Sequence, residues 1–358
     1  MRVGFARLFR KLYVIPQSRP DLRRSDFAHV SRILATRQIA GGPFVQRLER
    51  SFSRASGTRF AAATSSGTSA LHLALLALDV GAGDEVLVPS YTCPAVAHAV
   101  MQTGAAPRFV DIDPETLNPT AALVSRRMTR RTKALIVTHT FGFPAAMDEL
   151  ASLDLPLLED ATMALGAMYR QRPVGSHGDI AVFSLYATKV VAAGQGGVVC
   201  TSRRDLLKTV RTLNGPDRPA LAPVRYNYAM SDLTAGVALA QMNRLRSSLR
   251  RRSSIAGRYI DAVEAARLQK AAPESQPSYY RFAVRADNPA ASMRRARRLG
   301  IVVDRPVAWP LHRLAGESPR AFPGTESAYR ATLSVPLYPA LTEREVDAVA
   351  RALPEIFQ

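Results

Sequence analysis

From about residue 60 to 215, short apolar runs of strand length alternate with segments whose apolar positions recur at helical spacing. The strand-like runs are 85–89, 107–110, 134–138, 155–159, 180–185 and 197–201. The helix-like segments are 68–78, 94–104, 145–153 and 203–213. Such alternation predicts an α/β layer structure, with helices on both faces of a mostly parallel sheet. Segment 68–78 is apolar almost all round, which places it inside the layer. Residues 243–259 read as one long basic helix linking a large domain (1–245, with an N-terminal arm) to a smaller α+β domain (246–358). The smaller domain shows strand-like runs at 280–284 and 301–304. Its closing helix, 343–353, is opened by Thr342 with Glu345 at the capping-box spacing. Segments 273–277 and 319–324 read as surface loops.

A length of 358 residues suits one large and one smaller domain. Hydrophobic content of 47% and charged content of 22% describe an ordinary globular chain. No run approaches the roughly 18 apolar residues of a membrane span. The two cysteines, Cys93 and Cys200, suggest no disulfide framework and fit a reducing, cytoplasmic setting. The net charge of +19 is spread over many short Arg clusters with no nucleic-acid-binding signature beside them. It fits solvated helix faces, or the steering of an anionic, for example nucleotide-linked, substrate. At the N-terminus, Phe5, Leu8, Phe9 and Leu12 recur at helical spacing among Arg2, Arg7, Arg10 and Lys11. Residues 2–15 read either as a frayed or dimer-packed terminal arm or as a helix touching an anionic membrane surface.

Three places carry candidate chemistry. The run Thr64-Ser65-Ser66-Gly67-Thr68-Ser69 opens a helix, where free amides and the positive dipole end suit a phosphate. A plain Ser/Thr helix cap explains the same residues. The strand ending in Ser184 is followed by Lys189 and the turn Gly194-Gln195-Gly196-Gly197. Asp160 closes an earlier apolar strand, at the edge where open α/β sheets place their sites. A lysine that forms an imine and a carboxylate that holds a pyridinium proton are the two protein groups pyridoxal phosphate (PLP) requires. Taken singly, Lys189 also fits a solvated surface lysine and Asp160 a helix cap.

These motifs, in this order, resemble the DegT/DnrJ/EryC1/StrS family of PLP-dependent aminotransferases. The resemblance runs from Gly41-Gly42 to Leu333-Ser334-Val335-Pro336-Leu337-Tyr338, through Ser66-Gly67-Thr68, Gly83-Asp84-Glu85-Val86, Glu159-Asp160-Ala161, Thr188-Lys189 and Tyr226-Asn227-Tyr228. It implies a fold type I PLP enzyme with a mostly parallel seven-stranded sheet. Lys189 would carry the cofactor and move the proton, and Asp160 would pair with the pyridine nitrogen. Gly67, Thr68 and Ser184 would hold the phosphate. Asn227 would reach the phosphate of the neighbouring subunit, which implies a homodimer with a shared site. The implied reaction moves an amino group, from a donor such as L-glutamate, to a keto-sugar, often nucleotide-linked, in polysaccharide, lipopolysaccharide or natural-product biosynthesis. Lys189 speaks against the family's dehydratases, which have His there. The intact Lys189, Asp160 and Ser184 speak against a non-catalytic, membrane-docked member.

Several positions depart from the family pattern. Cys93 replaces the aromatic ring that commonly stacks on the cofactor. Met163 replaces a polar residue expected near the cofactor's 3′ oxygen. Gln195 replaces a glutamate, Ala229 an arginine, and Phe143 a polar residue. Together they imply either neutral drift or a substrate less polar than a nucleotide sugar. Arg305 and His312, in the second domain, are candidate acceptor contacts, with surface or interdomain roles as the alternative.

Overall fold

A computed structural model of the chain describes residues 14–215 and 224–358. Of the basic N-terminal segment 2–15, only the last two residues lie among them. Seven strands build the central sheet: β1 Phe60–Thr64, β2 Glu85–Pro89, β3 Ala106–Val110, β4 Thr132–Thr138, β5 Leu157–Asp160, β6 Ile180–Ser184 and β7 Gly197–Thr201. Their order is β1-β7-β6-β5-β4-β2-β3. Neighbours from β3 through β6 pair in parallel, and β7 runs antiparallel to both β6 and β1. Strands β2 and β5 are buried along their whole length, because helices cover both faces of a parallel sheet.

The helix Gly67–Ala77 is buried from Ser69 through Leu75, as its all-round apolarity predicts. Its Leu71 and Leu75 share one core with Val86, Val88, Ile136, Leu158 and Val182. On the opposite face, Phe52 of the helix Pro43–Ser56 meets Phe183 at a ring-centroid separation of 5.5 Å. Truncating either ring in so closed a core costs about 3–5 kcal/mol. The sequence pattern gave no sign of β1 or of the helix Asp232–Met242. The former is Phe-Ala-Ala-Ala-Thr, and alanine has little strand preference. The latter is apolar on every side and so lacks a helical stripe.

The helix Leu245–Ile260 leads into a second core. There Tyr259, Phe282, Val284, Leu333, Val349 and Leu353 pack around the antiparallel pair β8 Phe282–Arg285 and β9 Thr332–Val335. The helix Glu343–Ile356 opens with the expected capping box: the Glu345 amide donates to Thr342 Oγ1 at 3.2 Å, and the Thr342 amide to Glu345 Oε2 at 2.6 Å. Ile15 joins this second core, and Arg19 pairs with Glu345 at 3.0 Å, so the first described residues pack on the C-terminal unit.

Three expectations for this half need correction. Residues 301–304 form no strand; Ile301 bridges Ile15 and Asp304 bridges Ser334 singly, because the chain only touches those partners in passing. Segment 319–324 is no free surface loop, since Phe322 is buried and the helix Pro323–Ala331 starts there. Asp111, from the large unit, accepts the Gly324 and Thr325 amides at 2.9 and 2.7 Å and so caps that helix. Within 273–277, Ser275–Gln276 pairs with Met168–Tyr169.

Candidate active site

The carboxyl ends of β5 and β6 and the start of the Gly67 helix converge at one edge of the sheet. There the helix opens with Ser66 as its cap, whose Oγ accepts the Ser69 amide at 3.0 Å. First-turn amides have no partner inside their own helix. Ser184 closes β6 directly beside them. A Cβ added to Gly67 would stand 3.0 Å from Ser184 Cβ and 3.1 Å from its Oγ, so glycine keeps this cradle open. Thr68 is half-buried at the same turn. A helix N-terminus, a strand-end hydroxyl and a missing side chain form a fitting seat for a phosphate.

Asp160 is almost fully buried at the end of β5. Its Oδ1 accepts the Thr162 amide at 3.1 Å, and the Thr162 hydroxyl accepts from Lys189 Nζ at 3.3 Å. The second oxygen, Oδ2, has no protein partner among the described residues and is open to a ligand. Lys189 Nζ also lies 5.2 Å from the centroid of the Tyr280 ring, and Thr188 Oγ1 is 3.4 Å from the Tyr280 hydroxyl. Burial opposes ionisation of Tyr280, but the charges of Lys189, Arg281 and Arg252, with the Thr188 hydroxyl, outweigh it and hold its pKa below the usual value. Cys93 belongs to the same locality. Its thiol is solvent-accessible but walled by protein on its other sides; that desolvation and the Asp160 charge raise its pKa, against the pull of Lys189. A thiol held protonated is a packing group, not a nucleophile.

Asp160 is aimed by its neighbour. Successive strand residues face opposite sides, and Glu159 is wholly buried on the side away from Asp160. Its Oε2 accepts from His139 Nε2 at 3.0 Å and from the Gly175 amide at 2.8 Å. Its Oε1 accepts the His177 and Gly178 amides at 2.7 and 2.6 Å. The Ala145 amide donates to His139 Nδ1 at 3.1 Å, which assigns the ring proton to Nε2. Burial alone would raise the Glu159 pKa; His139 and the backbone amides outweigh it and hold it low.

The structure therefore brings Gly67, Thr68, Ser184, Asp160, Lys189 and Cys93 to one edge. Met163 is half-buried between two apolar clusters, and its carbonyl accepts from Ser278 Oγ at 3.4 Å. Gln195 and Asn227 are exposed. The segment carrying Asn227 is tied down beside the cradle: the Ser65 amide donates to the Tyr228 carbonyl at 2.7 Å, and the Tyr226 and Tyr228 rings stack at 5.2 Å. His312 lies elsewhere and is wholly buried. Ser90 and Glu326 flank its ring at 2.7 and 3.0 Å, and its neighbours Leu311 and Phe322 pack in the core under the sheet, so its ring meets protein on these sides. Arg305 donates to the Tyr329 carbonyl and lies over that ring. Sequence reasoning missed Thr162 and Tyr280. The spacing Asp160-Ala161-Thr162 is that of an Asx turn, which offered a signal for Thr162. Tyr280 reaches the site from a segment distant along the chain and offered none.

The family model described as the DegT/DnrJ/EryC1/StrS aminotransferase family matches residues 20–354. Among solved structures, S. venezuelae DesV, determined in complex with a ketimine intermediate, is 32% identical. The match covers 94% of this chain and 95% of DesV, with a TM-score of 0.89. The aminotransferase TlmJ from Streptoalloteichus hindustanus is 30% identical over 96% of this chain and 98% of its own, with a TM-score of 0.90. A putative sugar aminotransferase from Streptococcus pneumoniae, Spr1654, solved in its PLP form, shares the fold at 24% identity, covering 96% and 98% of the two chains with a TM-score of 0.89.

Proposed function

The chain belongs to the DegT/DnrJ/EryC1/StrS aminotransferase family, and from that premise we propose that it is a PLP-dependent aminotransferase acting on a keto-sugar, with Lys189 as its catalytic residue. The observation that carries this is the chain from Asp160 through Thr162 to Lys189 Nζ, placed at the same sheet edge as the Gly67–Ser184 cradle. Gly67, Thr68 and Ser184 would hold the cofactor phosphate. Asp160, with Oδ2 open, would hold the proton of the ring nitrogen. Bound there, PLP supplies a carbonyl that takes up the amino group and a ring that acts as electron sink.

The protein's own part is positioning and proton transfer. Thr162 and the Tyr280 ring flank Lys189 Nζ, which would move the proton between the donor's Cα and C4′ of the cofactor, and in the reverse sense for the acceptor. Glu159, locked by His139 and three amides, keeps the end of β5 rigid, so Asp160 does not turn away. Cys93 and Met163 line the cofactor seat with soft, weakly polar side chains.

We assign L-glutamate as donor, a nucleotide-linked acceptor, and a homodimer in which Asn227 reaches the partner's phosphate. The exposure of Asn227 beside the cradle supports the last point, and the +19 charge suits an anionic acceptor. The two free thiols fit a reducing, cytoplasmic setting. No helix among the described residues is long and apolar enough to cross a membrane. The test is an absorbance spectrum of purified protein before and after L-glutamate. A band of lysine-bound cofactor that converts to the pyridoxamine form supports the assignment; a band that ignores glutamate removes the donor; no band removes the enzyme.

A further inference from the structure

The outer face of the second unit joins basic and apolar side chains in one exposed patch. The helix Pro289–Arg298 carries Arg294, Arg295, Arg297 and Arg298 and no acid. Arg295 is spent on the Ile356 and Gln358 carbonyls at 2.8 and 2.9 Å, whereas Arg294, Arg297 and Arg298 are exposed. The adjoining helix Glu343–Ile356 adds exposed Arg344 and Arg351, on one face with Ala348 between them. None of these exposed arginines meets a carboxylate among the described residues. The acids of that helix are mostly engaged elsewhere: Glu343 and Asp347 pair with Arg258, and Glu345 with Arg19. Glu355 and Asp304 remain, so the arginines outnumber the free acids.

Amid this charge stand apolar side chains turned to solvent. Ile15 and Ile301 bridge each other singly and point into the second core. Alternation along extended backbone turns Val14 and Val302 outward, where they are 49% and 36% exposed; Leu299, at the end of the arginine helix, is 42% exposed. Leu299 lines one groove with Ile15, Arg344 and Ala348, so the apolar and basic side chains share a face. The chain enters this face at Val14. Residues 1–13, just before it, include Arg2, Arg7, Arg10 and Lys11, apolar Phe5, Leu8, Phe9 and Leu12, and no acid.

A cationic face alone would suit any polyanion, RNA included. The leucine and valines favour another partner. They offer a base no ring to stack on. They do gain by entering the boundary between headgroups and acyl chains, while the guanidinium groups around them meet lipid phosphate. We propose that this face, built from Arg294, Arg297, Arg298, Arg344 and Leu299 and continued by the basic sequence before Val14, docks the protein on an anionic phospholipid surface. It includes none of the residues of the cofactor site, so docking leaves Lys189 and its neighbours free. The proposal does not rest on the enzymatic reading.

The test is co-sedimentation of the full-length protein with vesicles of phosphatidylcholine, alone or mixed with phosphatidylglycerol. Wild type binds the mixed vesicles and ignores phosphatidylcholine alone. Each arginine held near such a surface raises partitioning about fivefold, so Arg297→Gln/Arg298→Gln binds roughly 25-fold more weakly. Arg126→Gln/Arg130→Gln removes the same charge from exposed positions on the large unit and stays within about twofold of wild type. Leu299→Gln loses severalfold of the binding that survives high salt, where screening leaves the apolar contact. Thermal melts at the wild-type midpoint show that each variant is folded, as expected for solvated side chains. Equal weakening by the two arginine pairs reduces the effect to net charge and overturns the face, as does wild type that ignores the mixed vesicles. Salt-resistant binding unchanged in Leu299→Gln overturns the insertion of the apolar side chains. Binding to single-stranded oligouridylate in place of vesicles, lost in Arg297→Gln/Arg298→Gln, assigns the face to nucleic acid and overturns membrane docking.

Discussion

Replacing Glu159 with Gln tests whether the far side of β5 governs the near side. The wild-type carboxylate accepts four hydrogen bonds, from His139 Nε2 and the amides of Gly175, His177 and Gly178, at 2.6–3.0 Å. A glutamine keeps one accepting oxygen and turns a donor toward the other two partners. His139 cannot relieve the conflict by moving its proton, because Nδ1 is engaged by the Ala145 amide. At about 1–3 kcal/mol for each buried donor left unpaired, two such donors cost about 2–6 kcal/mol. That is a large share of the roughly 5–15 kcal/mol by which a folded protein is stable. With an unfolding entropy of about 2.1 cal/mol/K per residue, each kcal/mol moves Tm by about 1.3 °C in a chain of this size, so the expected drop is about 3–8 °C. The assay is a thermal melt at neutral pH, with a PLP titration beside it; cofactor affinity should fall too, since Asp160 is the next residue. The pH dependence has a definite sign. Glu159 has its pKa held below the unfolded value, so its contribution is complete above about pH 4.3 and fades as pH falls through the folded value. The gap between wild type and Glu159→Gln should therefore narrow on acidification. A Tm within about 1 °C of wild type with unchanged PLP affinity would refute the reasoning.

Lys189→Ala should abolish both the band of lysine-bound cofactor and turnover, and retained transamination would overturn the assigned mechanism. Asp160→Asn should leave PLP bound but slow proton removal from the donor by orders of magnitude, as stopped-flow absorbance would read; a near-normal rate would take Asp160 away from the ring nitrogen. Asn227→Ala should weaken PLP binding if its side chain reaches the partner's phosphate, and an unchanged dissociation constant would place that residue outside the cofactor seat.

Local patterns made much of this molecule legible. The strands over 85–89 and 197–201 and the capping box at Thr342 follow from apolar runs and short-range side-chain chemistry. Asp160 at the end of an apolar strand and Lys189 shortly after another were singled out in the same way, and the structure brings them together through Thr162. What escaped was set by distant partners. β1 is a strand because it pairs with β7, not because Phe-Ala-Ala-Ala-Thr prefers to be extended. Residues 319–324 look like a loop until Asp111 caps the helix that follows. His312 stood in the sequence as a candidate acceptor contact with a surface or interdomain role beside it, and its full burial between Ser90 and Glu326 was set by partners no local pattern names. Tyr280 meets Lys189 from a distant stretch of the chain, a contact no spacing rule encodes.

The antiparallel strand β7 has a consequence for how the protein comes into being during synthesis. It lies between β1 and β6, and so joins one of the first strands to be made with one of the last. Gly67 follows β1 and Ser184 ends β6, so the cradle spans the two sides of that seam. A nascent chain still lacking residues 197–201 would hold every other strand of the sheet and yet lack the strand that pairs β1 to β6 beside the cradle. Pairing so distant along the chain is slow to find. The growing polypeptide would therefore gain its cofactor seat in one late event, and cofactor capture would report on completion of the sheet.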